Sequence, residues 1–350
     1  MKILHVITDL RLGGAERALA ALALAQREAG HRVTVLALKQ LGPAAEPLQR
    51  AGIPCAALDA PDAPGLGTAA AALAVGARMK TDPPDVVHAW LASACAAVKL
   101  AAPRGIPRVY ACRVTTTPGP LVCQLLGAQD DGPRAWVAVS DAVADAWSTA
   151  LHLPRAHFHV VPNGVEVPTR RAAEPPGARP CFLGRLARQK GVDLLLAALA
   201  GCDLELDLYG DGPEAAALTD MARMLGVGNR ARFHGVAPDA RAVLRAASLL
   251  VLPTRAEGMS NAVLEAMAEG RPVIAADVPG MREVVADGVT GILVPPGNAR
   301  ALAEALVSLQ DNPARRRKLG AAGQARVRAQ FTPAASHAEW TAVYDAVLRG

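Results

Sequence analysis

Aromatic residues are scarce in this chain, at 3% of its 350 residues, although hydrophobic residues of all kinds make up 51%. Long apolar runs are also missing. The longest windows, 18–25 and 194–200, fall far short of the roughly 20 residues that a helix needs to cross a bilayer. This alanine-rich composition is typical of α/β proteins with helices packed closely on sheets, and the length allows two domains, each with its own core.

Paired cysteine motifs are absent, because the 6 cysteines are scattered without a C-x-x-C spacing and lie mostly in apolar runs. This favours buried thiols in a reducing compartment over disulfides. No signal peptide is visible, since residues 1–7 lead straight into strand-like sequence. We therefore expect a cytoplasmic protein. Without an Asp-x-Asp motif or a His/Cys cluster, we expect no metal site and no cofactor.

Two common nucleotide-binding motifs are missing as well. The glycine turn at 10–14 lacks the G-x-G-x-x-G pattern, and Lys39, rather than an acidic residue, follows the second predicted strand. The chain has no G-x-x-x-x-G-K-[ST] sequence. NAD enzymes and P-loop NTPases are thereby disfavoured. The adjacent Gly13 and Gly14 still let backbone amides approach an anion.

Short apolar runs alternate with helix-like periodicity through the chain, which predicts βαβ units and parallel sheets. Strands are predicted at 2–7, 32–38, 85–88, 109–112, 135–139, 180–183, 203–208 and 248–252. Ligands of such sheets bind at the carboxyl ends of the strands. His88 is expected at one of these ends, where a site role stands against that of a solvated or satisfied residue.

Residues 253–276 form the most informative stretch, with the pattern of a loop, a helix and a strand. Glu257 lies in the loop and Glu265 in the helix. Backbone N–H groups at a helix start bind phosphate, and nearby carboxylates accept hydrogen bonds from sugar hydroxyls. This combination suits a sugar nucleotide, whereas two solvated surface acids are the structural alternative.

A second charged loop follows the predicted strand 180–183. Arg185 and Lys190 lie where this loop enters a helix that begins near Val192. Two cations at this place would suit a diphosphate. The preceding stretch, 168–180, holds four prolines without apolar periodicity, which indicates an exposed linker.

Together these strings resemble the motifs of retaining glycosyltransferases of family 4, which have the two-domain GT-B architecture. The matching strings are Glu-Gly and Glu-Ala-x-Ala of the E-x7-E signature at 257–258 and 265–268, Gly-Gly-x-Glu-Arg at 13–17, Gly-Arg-Leu and Lys-Gly at 184–191, Pro-Asn-Gly at 162–164, and Gly-x-Gly-Pro at 210–213. The resemblance covers most of the chain and is thinnest over 42–82 and 113–134.

The resemblance implies two Rossmann-like domains, each with a parallel sheet, that face each other across a cleft. Expected are an acceptor-binding domain at 1–167, a linker at 168–180, a sugar-nucleotide-binding domain at 181–332 and a final helix at 333–350 that packs back on the first domain. The implied reaction moves a sugar from a UDP- or GDP-type donor to an acceptor hydroxyl with retention. Cationic side chains would replace Mg²⁺ at the leaving diphosphate.

Roles for individual residues also follow from the resemblance. His88 and Glu257 would act near the transferred sugar, Arg185 and Lys190 on the diphosphate, and Glu265 on the ribose. Other expected donor-binding residues are Gly13, Gly14, Gly184, Gly210, Gly212, Gly258, Met259, Ser260 and Asn261. The residues expected at the acceptor are Glu16, Arg17 and Arg113.

Other functions on the same architecture stay open. A sugar-nucleotide epimerase or a phosphorylase with pyridoxal phosphate would use this fold, although the chain is short for a phosphorylase. A catalytically silent sugar-nucleotide-binding subunit would keep the fold without turnover. No nucleic-acid partner is expected.

Basic residues exceed acidic ones by 5, and four of them form the run 315–318. A solvated helix face accounts for this run. Weak attraction to an anionic membrane, worth about 1 kcal/mol per basic residue, is the functional alternative. Because many family members extend cell-surface glycans on lipid carriers, we expect a lipid-linked acceptor and a protein held peripherally at the inner face of the membrane. A small soluble acceptor, with 315–318 as a solvated helix face, is the alternative.

Overall fold

The computed structural model describes residues 1–11, 13–61, 66–101, 103, 105–128 and 132–349. The chain divides into two compact units, one of Met1–Gly164 with Pro333–Gly350 and one of Val165–Thr332. Each unit contains one parallel sheet with connecting helices. The predicted α/β fold with two parallel sheets is therefore confirmed.

The first unit contains a sheet of seven strands within the described residues, in the order β3-β2-β1-β4-β5-β6-β7. Its strands are β1 (Lys2–Ile7), β2 (Arg32–Ala37), β3 (Cys55–Ala57), β4 (Val86–Trp90), β5 (Arg108–Cys112), β6 (Arg134–Ala138) and β7 (Phe158–Val160). Its helices are α1 (Gly14–Glu28), α2 (Glu46–Arg50), α3 (Leu66–Thr81), α4 (Leu91–Ala101), α5 (Pro120–Gly127), α6 (Asp141–Leu151) and, at the end of the chain, α14 (Pro333–Arg349).

The second unit contains a sheet of six strands in the order β10-β9-β8-β11-β12-β13. Its strands are β8 (Pro180–Leu183), β9 (Leu206–Tyr209), β10 (Ala231–Phe233), β11 (Leu249–Leu252), β12 (Val273–Ala276) and β13 (Gly291–Val294). Its helices are α7 (Val192–Ala200), α8 (Ala215–Met224), α9 (Ala240–Ala246), α10 (Asn261–Ala268), α11 (Pro279–Arg282), α12 (Ala299–Gln310) and α13 (Pro313–Gln330).

Strands β4, β5, β11 and β12 are buried at every residue. This agrees with the continuous apolar sequences of β11 and β12, whereas β4 and β5 also enclose His88 and Arg108. β1 and β8 have the predicted bounds. The prediction that β4 ends at His88 is wrong, because Ala89 and Trp90 continue the pairing with β5 and are fully buried. β9 begins at Leu206 rather than at residue 203, since its pairing with β10 starts there.

The strand order reverses between β1 and β4 in the first sheet and between β8 and β11 in the second. Ligands of open α/β sheets bind outside the carboxyl ends of the strands at such a switch point. β8 and β11 pair directly, with Leu249 opposite Pro180 and Leu250 opposite Cys181. The loops that follow these two strands therefore lie side by side.

The proline-rich stretch 168–180 is tied to the second unit. Arg171 donates to the carbonyl of Arg317 at 3.1 Å, and Arg316 donates to Glu174 at 3.1 Å. Arg316 also donates to the Leu309 carbonyl at 2.6 Å and is buried. This corrects the interpretation of 315–318 as one solvated face, because one of its four cations lies inside the fold.

Helix α14 packs on the first unit through four buried residues, Trp340, Val343, Tyr344 and Val347. These side chains join the same core as the inward-facing residues of β1, β2 and β4. None of the helices in the described part of the chain has the length and apolar character needed to cross a membrane.

Candidate active site

The loops after β8 and β11 are bonded to each other. Thr254 is fully buried, and its hydroxyl lies 3.0 Å from the carbonyl oxygens of both Gln189 and Ala256. The side-chain amide of Gln189 donates to the Ala256 carbonyl at 2.7 Å. Lys190 then forms an ion pair with Glu257. The two motifs that the sequence indicated thus meet directly at the switch point of the second sheet.

Close backbone contacts at this edge require glycine. Gly191 immediately precedes α7 with a φ of 70°, and a Cβ there would lie 2.1 Å from the carbonyl oxygen of Pro253. Gly210 has a φ of 144°, and its Cβ would lie 1.8 Å from the carbonyl oxygen of Gly184. A Cβ at Gly212 would lie 2.4 Å from the Leu186 carbonyl oxygen. These glycines let the loop of β8 lie against its neighbours on both sides.

Arg185 is an exposed cation of the β8 loop, as is Arg188. Its side chain forms no hydrogen bond or ion pair within the described ranges, whereas Lys190 is partly buried by its pair with Glu257. The backbone beneath it is fixed, because Leu186 N–H donates to the Asp211 carbonyl at 2.9 Å. A planar guanidinium held on a fixed loop is well suited to bind phosphate oxygens.

Helix α10 begins where the β11 loop ends. Gly258, Met259 and Ser260 are buried, and Ser260 precedes the helix without forming a side-chain cap. Asn261 is the first helical residue, and Glu265 lies one turn further along with a partly buried side chain. The predicted donor-binding residues of this motif therefore surround one helix N-terminus, where backbone dipoles favour an anion.

His88 lies in the middle of β4 and has no exposed surface. Its ring centroid lies 4.4 Å from that of Trp90 and 4.7 Å from that of Trp340, and Nδ1 is 2.7 Å from the Tyr344 hydroxyl. Burial, with a smaller effect of the neighbouring His5, lowers the pKa of His88 well below its ordinary value. The imidazole is therefore neutral and enclosed. Its expected place at a ligand-facing strand end is wrong, and its catalytic role stays a prediction.

Arg113, which was expected at the acceptor, is also enclosed. Its guanidinium donates to the side-chain oxygen of Asn163 and lies 5.4 Å from the centroid of the Trp90 ring. Burial lowers the pKa of Arg113 to about 10. In this position the side chain links the end of β5 to the turn at Asn163, and its acceptor-binding role stays a prediction.

Glu16 and Arg17 differ from Arg113 in exposure. Arg17 is exposed at the start of α1, whereas the Glu16 carboxylate folds over the helix start and would lie 2.1 Å from a Cβ at Gly13. Partial burial raises the pKa of Glu16. Gly14, the other glycine of this turn, is exposed. The described residues include no cluster of three His, Cys, Asp or Glu side chains that would hold a metal ion.

Three candidate functional residues were not identified by the sequence patterns. Asp9 is buried after β1 and pairs with Arg11 at 2.8 Å. Arg255 and Asp193 form a two-pronged ion pair beside Lys190, with distances of 2.8 and 2.6 Å. No local sequence pattern links two residues that are 62 positions apart.

Comparison with known proteins agrees with this arrangement. A model of glycosyltransferase family 4 matches residues 12–168, and a model of glycosyl transferases group 1 matches residues 178–312. A D-inositol 3-phosphate glycosyltransferase of Catenulispora acidiphila is 30% identical over 309 residues, which cover 76% of this chain and 73% of that protein. The chain belongs to glycosyltransferase family 4.

Another relative is matched over a shorter part of its length. A phosphatidyl-myo-inositol mannosyltransferase of Mycobacterium leprae is 34% identical over 204 residues, and the match spans 54% of this chain and about half, 52%, of that protein.

Solved structures extend the comparison to the whole fold. The structure of Anabaena HepE with UDP and glucose has a TM-score of 0.84 at 23% identity and covers 98% of both chains. Sucrose-phosphate synthase of Thermosynechococcus elongatus has a TM-score of 0.83 at 21% identity and covers 99% of this chain and 98% of that one. These likenesses confirm the GT-B fold of this family 4 member.

Proposed function

We propose that this family 4 member transfers a hexose from a nucleoside diphosphate sugar to a hydroxyl group of an acceptor. The observation that carries the proposal is the junction of the β8 and β11 loops. There Lys190 pairs with Glu257, and Arg185 stays exposed without a partner in the described part of the chain. Cations and a carboxylate at the switch point of a parallel sheet suit a diphosphate and its sugar.

The central chemical demand is negative charge on the leaving group. Cleavage of the bond between the anomeric carbon and phosphate leaves both bonding electrons on the diphosphate, so fixed positive charge lowers the barrier. Arg185 and Lys190 would supply this charge. Glu257 uses Oε2 for Lys190, and Oε1 has no bonded partner within the described residues. That oxygen is available to accept a hydrogen bond from the transferred sugar.

We further propose that the transfer retains the anomeric configuration. We assign no carboxylate of the described residues as a covalent nucleophile, so we propose a same-face reaction instead of a double displacement. In that reaction the acceptor oxygen bonds to the anomeric carbon on the side that the diphosphate leaves, and the acceptor proton passes to a departing phosphate oxygen. The scheme needs no metal ion, and we expect EDTA to leave turnover unchanged.

The proposed donor is of the UDP or GDP type, and UDP sugars are tested first because Anabaena HepE has been solved with UDP and with UDP-glucose.

The proposed acceptor is a lipid-linked or cell-surface glycan precursor, used by a cytoplasmic protein held peripherally at the membrane. The mannosyltransferase relative, named for phosphatidyl-myo-inositol, supports a lipid acceptor. The relative named for D-inositol 3-phosphate supports the competing choice, a small soluble acceptor.

A thermal-shift panel tests the nucleotide site. A ligand at 100 times its dissociation constant stabilises the folded protein by about 2.7 kcal/mol, which raises the melting temperature measurably. We expect a UDP or GDP sugar to give this shift and Lys190→Ala to abolish it, whereas Lys80→Ala, which changes an exposed residue of α3 in the first unit, leaves it unchanged. Absence of any shift with all UDP and GDP ligands would overturn the proposal.

A turnover assay separates the enzyme from its rivals. A transferase releases nucleoside diphosphate faster when acceptor is added. An epimerase converts the donor without releasing the diphosphate, and a silent binding subunit shows the thermal shift without any turnover.

A further inference from the structure

Arg255 is placed to control the position of Lys190. Its guanidinium forms two bonds with the Asp193 carboxylate, from Nη1 at 2.8 Å and from Nη2 at 2.6 Å. Nη1 also donates to the Arg188 carbonyl at 2.8 Å, and the backbone N–H of Arg255 donates to the Gln189 carbonyl at 2.7 Å. One residue of the β11 loop therefore holds two carbonyls of the β8 loop and the first turn of α7, and Lys190 lies between them along the chain.

The electrostatics of the pair agree with this geometry. Hydrogen bonds from Arg255 lower the pKa of Asp193, and the bond to Asp193 raises the pKa of Arg255. Each side chain keeps about a third of its surface exposed, at 35% and 36%. An ion pair with that exposure adds little to global stability. The pair instead influences the geometry of its neighbours, because Glu257 lies two residues after Arg255 and pairs with Lys190.

We infer that Arg255 and Asp193 form a clamp, a pair of positioning residues that hold the Lys190 ammonium against Glu257 for the diphosphate of the donor. The Arg255 fork fixes both distance and angle, since two parallel N–H···O bonds leave little rotational freedom. The consequence for catalysis rests on the proposed function. The clamp itself joins the two loops of the free protein, so its existence is tested without substrate.

The substrate-free test is hydrogen–deuterium exchange on the full-length protein. Lys190 N–H is bonded to the Ala187 carbonyl at 2.8 Å, so its exchange rate reports the order of the β8 loop. In Arg255→Gln and Asp193→Asn we expect faster exchange at 186–191 as well as at 254–257, with the unfolding midpoint nearly unchanged. Unchanged exchange at 186–191 in both variants would overturn the clamp.

Arg155 in the first unit provides a matched control. It donates to Asp145 at 2.8 Å and to the Phe158 carbonyl at 3.0 Å, and its side chain is 37% exposed. Arg155→Gln removes the same kinds of bonds from the first unit, whereas both loops belong to the second. It should leave exchange at 186–191 and turnover as in the wild type, and an equal increase in exchange would also overturn the clamp.

The kinetic test uses the donor found in the thermal-shift panel. Displacing a charged group by about 1 Å can cost up to a hundredfold in rate, so we expect Arg255→Gln to lower kcat about tenfold or more. Arg255→Lys should recover only part of the loss, because an ammonium cannot form the two-pronged bond. The double variant Arg255→Gln with Asp193→Asn should lose no more than the worse single variant.

The outcomes separate the two proposals. Faster exchange with normal kcat and KM in the variants would overturn the positioning role. If the wild type neither binds nucleotide nor turns over, the proposed function fails, while the exchange data still decide whether the clamp exists.

Discussion

Polar side chains are arranged in opposite ways in the β8 and β11 loops of the second unit and beneath α14 in the first. In the loops, Arg185 is exposed and the Lys190–Glu257 pair is only partly buried. Beneath α14, His5 and His88 have no exposed surface, and Trp90 Nε1 donates to His5 at 3.0 Å. The first arrangement leaves charge available to a ligand. The second encloses its polar groups inside the fold, where each histidine has at least one bonded partner, although Nε2 of His88 and Nε2 of Gln26 have none within the described residues.

Removal of one loop cation should have the largest effect on function. We expect Arg185→Ala and Lys190→Ala each to lower turnover by about 10²–10³, the usual cost of losing one group that stabilises transition-state charge. The melting temperature without ligand should hardly change, since neither side chain belongs to a core. Steady-state kinetics alongside thermal unfolding measures both effects. Near-normal turnover in both variants would contradict the assignment to the diphosphate.

The two glutamates should separate in a binding experiment. If Glu265 holds the ribose, Glu265→Gln weakens binding of free UDP or GDP by about tenfold to a hundredfold, the value of a hydrogen bond to a charged group. Glu257→Gln should spare that binding, because its proposed contact is with the sugar, and should lower turnover. Isothermal titration of each variant with the bare nucleotide distinguishes the two roles. The reverse pattern would show that they are exchanged.

Local patterns explain why so much of the second unit was predictable. Short apolar runs predict the bounds of β8 and the end of β11. The order of residues along the chain then places Arg185 and Lys190 after β8 and Glu257 after β11. The short edge strand β3 at Cys55–Ala57 was not predicted, since three residues give no periodicity.

The sequence did not predict which polar side chains are buried or which residues far apart in the chain pair with them. His88, Arg113 and Arg316 carry polar groups that usually face solvent, yet each is enclosed by residues from elsewhere in the chain. Tyr344, which bonds to His88, lies 256 positions away, and Glu174 lies 142 positions from Arg316. Such partners become visible only when the fold brings them together.

Acid should lower the stability of the first unit through its buried histidines, His5 and His88, while leaving the β8 and β11 loops largely unaffected. Burial lowers the pKa of His5 to about 4, against an ordinary value of 6.5. Between these values the unfolded chain binds more protons than the folded one, so the free energy of unfolding falls as the pH drops from 6.5 towards 4. The slope approaches about 1.4 kcal/mol per pH unit for each such imidazole, and His88 adds to it.

Tryptophan fluorescence isolates this effect, because all 4 tryptophans lie in the first unit. Urea unfolding followed between pH 7 and pH 4.5 should show the loss of stability, and His5→Gln should make the dependence shallower. His234→Gln, in the second unit, is the control and should leave it unchanged. An equal slope in the wild type and in His5→Gln would contradict the protonation argument.

The smallest effect is expected at α13, where one enclosed cation lies among three exposed ones within 315–318. Arg316 is buried, whereas Arg315, Arg317 and Lys318 are exposed, and Arg315 donates to the Ser308 hydroxyl at 2.9 Å. Three cations supply at most about 3 kcal/mol of attraction to an anionic surface at low salt.

For these exposed cations we expect weak co-sedimentation with anionic vesicles at low ionic strength, none with neutral vesicles, and loss near 1 M salt, where the Debye length is about 3 Å. The triple variant Arg315→Gln, Arg317→Gln and Lys318→Gln should abolish the binding, whereas Arg223→Gln, which changes an exposed arginine of α8, should preserve it. Equal failure to bind both kinds of vesicle at low salt would favour a small soluble acceptor, because the exposed cations would then serve only to solvate the helix.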